Sequence, residues 1–301
     1  MRGQLKRVTR NYDLYLILLP TLCYFIIFEY WPLFGLQIAF KNFMASKGIW
    51  GSSWVGFDHF QRFFDSFQFR IVLENTILIN LYILLFAFPV PIILALLLNQ
   101  LTSERFKRFV QTVTYAPHFI SIVVLVGMLS LFLSPKSGII NSFLQGLGLQ
   151  SIFFMGEPEW FKTIYISSGV WQTAGWSAII YLAALTAINP ELHESAIMDG
   201  ASKFQRIRFI DLPGIMPTIT ILLILNVGSF MTVGFEKIYL MQNSLNLSAS
   251  EVIQTHVYKT GLLQGKYSYA TAIGLFNSTI NFVLLVAVNT ILKRKGKTSL
   301  W

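Results

Sequence analysis

Long stretches of this chain carry no charge, and nothing else in it limits the possible folds so strongly. Residues 75–99, 109–135, 163–190, 212–235 and 267–292 contain no Asp, Glu, Lys or Arg. At about 1.5 Å per helical residue, each can cross the ~30 Å hydrocarbon core of a bilayer. A sixth run, 14–28, is shorter, but it extends to about Phe40 if Glu29 sits at the interface. The sequence therefore predicts an all-α integral membrane protein with six transmembrane helices. Buried core helices of a soluble protein are the alternative. A mean hydropathy of +0.59, with 54% hydrophobic and 12% charged residues, leaves too little polar surface to cover 301 residues in water.

The first run has the basic start of a signal peptide in Arg2, Lys6, Arg7 and Arg10. Pro20 interrupts its apolar stretch, however, and bulky Phe28, Tyr30 and Trp31 stand where a cleavage site needs small residues, so it reads as a retained helix. Orientation follows from the loop cations. Placing the N-terminus in the cytoplasm puts Arg2, Lys6, Arg7 and Arg10, then Arg105, Lys107 and Arg108, on that side. Lys203, Arg206 and Arg208, and Lys293, Arg294, Lys295 and Lys297, join them. These are 14 of the 23 basic residues, held in the shorter loops, and both termini become cytoplasmic. The expected layout is one domain, 1–301. It has a cytoplasmic N-terminus 1–13, a first helix 14–40, an extracellular segment 41–74 and a cytoplasmic tail 293–301. Between them lies a membrane core 75–292 that contains a cytoplasmic segment 189–211. The net charge of +9 is accounted for by this topology and by anionic lipid, without nucleic acid as a partner.

Several chemistries are excluded. The lone cysteine, Cys23, can form no internal disulfide and reads as a small buried apolar residue. His59, His118, His193 and His256 are far apart and form no HxxxH or HExxH pair, so no metal site is expected. The segment 261-GLLQGKY-267 has three residues between its glycines where a phosphate loop needs four, and Tyr267 where it needs Ser or Thr. Within the predicted helices only Glu29 and His118 are ionisable. Proton-driven and ion-driven carriers place titratable groups inside the membrane. If this chain moves a solute, the energy comes from elsewhere and the path is neutral and polar.

The polar segment 194-ESAIMDGASKFQRIRFIDLP-213 lies between two uncharged runs. Asn189-Pro190 supplies a helix cap and first turn, with Glu191 and Glu194 placed favourably for the helix dipole. Gly200 suits a C-terminal cap with positive φ, and Ser202 with Gln205 forms a capping box for a second helix. Pro213 lies close to the start of the next membrane helix. The prediction is a sharply bent helix pair on the cytoplasmic face. Leu192 and Ala196 share one face of the first helix and Phe204 and Ile207 one face of the second, with Lys203 and Arg206 on another side. Two readings stand: an interfacial helix resting on lipid, or an element that docks into a groove on a partner.

The same residues resemble the EAA signature of ABC importer permeases: Glu194, Ser195, Ala196, Gly200, Ile210, Leu212 and Pro213, with both spacings matched. Asp199-Gly200-Ala201 is similar to the form common in sugar permeases, and Ser195 stands where Ala is usual. The stretches 56-GFDHFQRFF-64 and 75-NTILIN-80 resemble the type I carbohydrate family, MalF/MalG-like. More loosely, 234-GFEKIYLM-241 and 269-YATAIGLFNSTINF-282 resemble its LplB/YtcQ-like subgroup for complex oligosaccharides.

The resemblance implies a type I importer permease in a bacterial cell membrane, with no cofactor of its own. ATP and Mg2+ would belong to a separate ATPase dimer. Glu194 would accept a charge-assisted hydrogen bond from that ATPase, Ala196 would pack in its groove and Gly200 would make the bend. Leu212 and Pro213 would join the segment to the fifth helix. Ser195, Asp199, Ala201 and Lys203 complete the coupling surface. The other implied partners are a second permease, expected to be a different chain, and an extracellular solute-binding protein delivering an oligosaccharide.

Neutral hydrogen-bonding groups on helical faces are the candidates for the substrate path: Asn277, Ser278 and Asn281 in the sixth helix, and Asn226, Ser229 and Phe230 in the fifth. Trp171 and Trp176 of the fourth can stack on sugar rings. Each could instead be a tie between helices. Other function classes remain at this stage: a permease for a non-sugar solute, an integral-membrane glycosyl or prenyl transferase, or a receptor or scaffold.

Overall fold

The computed structural model describes residues 12–296 and 298–300. The basic positions Arg2, Lys6, Arg7, Arg10 and Lys297 lie outside the described residues. The principal helices are α1 (Tyr12–Phe40), α2 (Phe67–Asn99), α3 (Glu104–Phe119) and α4 (Ile122–Phe132). They continue with α5 (Pro158–Thr186), α6 (Pro190–Met198), α7 (Lys203–Gly228), α8 (Phe235–Met241) and α9 (Tyr267–Arg294). Four of these, α1, α2, α7 and α9, are long and apolar enough to cross a membrane, and a fifth span is possible if α3 and α4 count as one. Helix α5 is 29 residues long but falls outside that count; it carries Glu159 and Lys162 near its start and Ser167, Ser168, Gln172 and Thr173 further along.

The uncharged run 109–135 does not form one straight helix. Helices α3 and α4 meet at 99°. Pro117 lacks the N–H needed to continue the ladder, and Ser121 starts the next helix by accepting a hydrogen bond from Val124 N at 3.3 Å. The carbonyl of Ile120, freed at the corner, accepts from Gln172 Nε2 of α5 at 2.9 Å. The corner is thus satisfied by a side chain rather than left open.

The chain divides into two compact units: Met1–Asp65 with Val257–Phe276, and Ser66–His256 with Asn277–Trp301. In the first, α1 widens into a π-helical turn at Phe25–Tyr30 and tightens into a 3-10 stretch at Trp31–Phe40. Cys23, expected to be buried, is exposed, because none of the described residues of Tyr12–Tyr24 is buried against another element. A short antiparallel pairing of Lys41–Asn42 with Ser53–Trp54 follows. It seats buried Lys41, whose Nζ donates to Ile49 O at 2.8 Å and lies 4.9 Å from the Trp54 ring centre. Phe63 is enclosed edge-to-face by Tyr269 and Phe276.

The second unit is organised around α5, which packs against α2, α3 and α7. One apolar cluster gathers Ile79 of α2, Val126 of α4, Phe161 and Tyr165 of α5, and Ile238 and Met241 of α8. The other joins Ala95 and Leu98 of α2, Ala178, Tyr181 and Leu185 of α5, and Ile215 of α7. Small residues at such crossings let backbones approach closely, which is the main attraction available between helices in lipid. A second departure from the sequence reading concerns the run 212–235. Helix α7 ends at Gly228, where an added Cβ would meet the Leu285 side chain at 2.5 Å, so Ser229 and Phe230 lie beyond the helix.

Candidate functional site

The bent pair is built from local chemistry. Asn189 Oδ1 accepts from Glu191 N at 3.1 Å and Pro190 takes the first helical position of α6. At the other end Gly200 has φ of 77°, a left-handed value that side-chain-bearing residues seldom adopt. Ala201 N donates to Ala196 O at 2.8 Å and Gly200 N to Ile197 O at 3.0 Å, the paired bonds of a Schellman cap. Ser202 begins α7 at once through a reciprocal capping box with Gln205, at 3.3 and 2.7 Å.

The pair presents Leu192, Glu194, Ser195, Ile197, Met198 and Phe204 outward, with Met198 86% exposed. Lys203, Asp199, Gly200 and Gln205 are exposed as well, while Ala201 is half-buried. His193 and Ala196 turn inward and are half-buried, so Leu192 and Ala196 lie in different surroundings. Phe204 and Ile207 also separate. Three residues rotate a helix by ~300°, which sets Ile207 about 60° round from Phe204 and onto the α2–α5–α7 cluster. Leu212 packs on the same cluster, and Pro213 follows it in the first turn after a π-helical turn at Ile207–Asp211.

Reading the sequence missed Asp211, which occupies the variable place between Ile210 and Leu212. Its side chain is fully buried. The Oδ2 atom accepts from Gln100 Nε2 at 2.8 Å, and Oδ1 accepts from Asn99 Nδ2 at 3.4 Å and from His193 Nε2 at 3.2 Å. A carboxylate can only accept, so Nε2 is the protonated ring nitrogen. The available signal was an acid immediately before the uncharged run 212–235.

The substrate-path candidates do not converge on one cavity. Asn226 lines a cavity of about 270 Å³ between α2, α5 and α7, beside Thr173, Ser177, Tyr181 and Phe88. Among the described residues its amide donates only to Leu222 O of its own helix, at 2.8 Å. Ser229 is exposed beyond the end of α7 and donates back to Leu225 O and Asn226 O, with half-buried Phe230 next to it. Asn281 is engaged at both ends: Oδ1 accepts from Met231 N at 2.7 Å and Nδ2 donates to Thr232 Oγ1 at 2.9 Å. Asn277 Oδ1 is buried and has no hydrogen-bond partner among the described residues, while Ser278 is exposed. Trp171 borders a separate apolar groove with Leu125, Met128 and Phe132. One face of Trp176 is covered by His118, stacked at 4.5 Å and 2°.

Comparisons with known proteins agree with this architecture. The family described as "Binding-protein-dependent transport system inner membrane component" matches residues 87–297. The protein LplB of Bacillus subtilis (strain 168) is 44% identical over 97% of this chain and 92% of its own length. From the same organism, the polygalacturonan/rhamnogalacturonan transport system permease protein YteP is 42% identical over 99% of this chain and 92% of its own. Among solved structures, a chain of a bacterial alginate ABC transporter, in complex with an alginate pentasaccharide-bound periplasmic protein, superposes with a TM-score of 0.91. That chain is 43% identical, and the match covers 98% of this chain and 99% of it.

Proposed function

Because the chain belongs to the family of binding-protein-dependent transport system inner membrane components, we propose that it imports oligosaccharides or polysaccharide fragments as one permease of an ATP-driven transporter. It is a membrane transporter subunit and not an enzyme; its fold is that of the type I importer permeases. It works with a second permease, an ATPase dimer and an extracellular solute-binding protein. ATP and Mg2+ are held by the ATPase. The cargo assignment draws on a relative named for polygalacturonan and rhamnogalacturonan transport and a structural neighbour bound for alginate.

In this reading α1, α2, the bent α3–α4 pair, α5, α7 and α9 make six crossings, with both termini in the cytoplasm. The bias of 14 of 23 basic residues to that side supports it. The observation that carries the mechanism is the capped helix pair with its outward Leu192, Glu194, Ile197, Met198 and Phe204. A loop that merely connects two membrane helices needs neither a Schellman cap nor a capping box. Rigid ends let the pair dock in the ATPase and move as one body when ATP closes the ATPase dimer. The membrane halves then rock between inward-facing and outward-facing states. Asn226 and its neutral neighbours Thr173 and Ser177 offer sugar hydroxyls hydrogen-bonding partners on this chain's half of the path. Asn277 offers one more.

Purification of the chain from its native membrane tests the assignment. An ATPase subunit and a second permease are expected to accompany it, and Glu194→Lys is expected to lose the ATPase while the chain still inserts. Recovery of the chain alone, or wild-type levels of bound ATPase in the Glu194→Lys protein, would overturn it.

A further inference from the structure

We propose that Asp211 is the positioning residue that makes the docked helix pair and the membrane helices one rigid body. This rests on the docking role just described for α6. The carboxylate is fully buried at the end of the π-helical turn in α7 and binds three donors from two other places in the chain. Asn99 is the last residue of α2 and Gln100 its cap, so one side of the carboxylate holds the end of a membrane helix. On its other side is His193, in the middle of α6. The three elements that must move together therefore meet at one side chain.

Its surroundings explain why the link holds. A buried carboxylate without donors is costly, so any motion that separates α6 or α2 from α7 must break hydrogen bonds to a charge in an apolar setting. The other charged group facing it is Arg206. The Arg206 Nε is buried and has no hydrogen-bond partner among the described residues, so the guanidinium contributes its field rather than a direct bond. Below the node, Ile207, Leu212 and Ile188 close onto the α2–α5–α7 cluster, which stops the π-helical turn at Ile207–Asp211 from flexing as a hinge. A π turn is a place where a helix readily changes register, and pinning its final residue removes that freedom.

The purified complex with its ATPase, in lipid nanodiscs, allows a direct test. Cys23→Ser removes the one native cysteine of the chain. Spin labels then replace exposed Glu191 of α6, which is not among the docking residues, and exposed Leu97 of α2. The expected result is one narrow distance in the wild-type background, the same with no nucleotide and with ATP and vanadate. In Asp211→Ala the ATPase stays bound, but ATP with vanadate shifts the α6–α2 distance by about 2–5 Å, because α6 follows the ATPase alone. General destabilisation would broaden the distance without making it depend on nucleotide.

His193→Ala, which leaves Asp211 its two amides, is expected to give the same nucleotide-dependent shift, and His193→Gln to restore the fixed distance. Asp211→Asn is also expected to hold it, since its oxygen can accept from His193 while the Gln100 amide turns over to present its own oxygen. A fixed distance in both alanine variants would overturn the role of Asp211 while leaving docking intact. Retained ATPase in Glu194→Lys would instead overturn docking, whatever the label distances show.

Discussion

Gly175 of α5 lies against the backbone of Thr114 of α3 so closely that a Cβ at position 175 would fall inside the contact distance of the Thr114 carbonyl. The neighbouring atom is backbone, next to the α3–α4 corner, and cannot step aside as a flexible side chain can. Gly175→Ala is therefore expected to lower the stability of the detergent-solubilised protein by about 2–3 kcal/mol, as overpacked cores do. Gly127 of α4 is the control. Nothing lies within 4 Å of its added Cβ, so Gly127→Ala should be neutral or slightly stabilising. Thermal unfolding of both variants checks the pair, and equal melting temperatures would refute the close approach.

Gly200 separates two effects that are often confused. An added Cβ there has open space, so the cost of Gly200→Ala comes only from φ of 77° and is expected to be about 1 kcal/mol. Proline needs φ near −65° and cannot take that position at all. Gly200→Pro is expected to unmake the turn between α6 and α7 and abolish uptake, with membrane insertion unchanged. Uptake by whole cells, set beside the amount of chain in the membrane, measures this. A fully active Gly200→Pro protein is the outcome that the cap geometry forbids.

These two glycines mark what could be read from the sequence and what could not. Gly200 was legible because a helix cap is local: Asn189, Pro190, Gly200, Ser202 and Gln205 act within a few residues of one another, and each formed the expected bond or turn. The apolar helices α1, α2, α7 and α9 were legible because absence of charge is largely a property of each run by itself. Gly175 was not legible, since its partner Thr114 lies far off in the chain. The same holds for Asp211, whose donors come from α2 and α6, and for the corner at Pro117, which depends on Gln172 to satisfy Ile120 O. Among the path candidates, the neutral polar type was readable, but whether an amide faces a cavity or a neighbouring segment was decided by packing.

Asn226 and Asn281 show how that distinction can be measured. Asn281→Ala leaves Met231 N–H without its acceptor and is expected to cost about 1–2 kcal/mol of stability, with the apparent KM for uptake unchanged. Asn226→Ala loses only a bond to Leu222 O within its own helix and should scarcely alter stability. If its amide meets the sugar, the apparent KM rises about fivefold, the equivalent of one hydrogen bond of ~1 kcal/mol. Uptake kinetics and thermal unfolding of the two proteins should give opposite patterns. A KM change in Asn281→Ala, or none in Asn226→Ala, would reverse the assignments.

Lys237 of α8 gives the protein a pH dependence with a definite sign. Its Nζ is buried, donates to Tyr165 O at 2.9 Å and lies 4.8 Å from the Tyr165 ring centre. Burial pushes its pKa down to about 8 from 10.5. Below pH 8 both folded and unfolded chains hold the proton, and the folded state bears the full cost of a desolvated cation. Between about 8 and 10.5 the folded chain gives up the proton while the unfolded chain keeps it, so stability rises with pH across that window. The ceiling on this gain is about 3 kcal/mol. Lys237→Met removes the titration and keeps the apolar stem. The expected result is a Met variant that melts higher than wild type at pH 7.5, with the difference shrinking steadily by pH 9.5. A constant difference across that range would mean that the Lys237 proton is held equally in both states and that the hydrogen bond to Tyr165 O fully offsets burial.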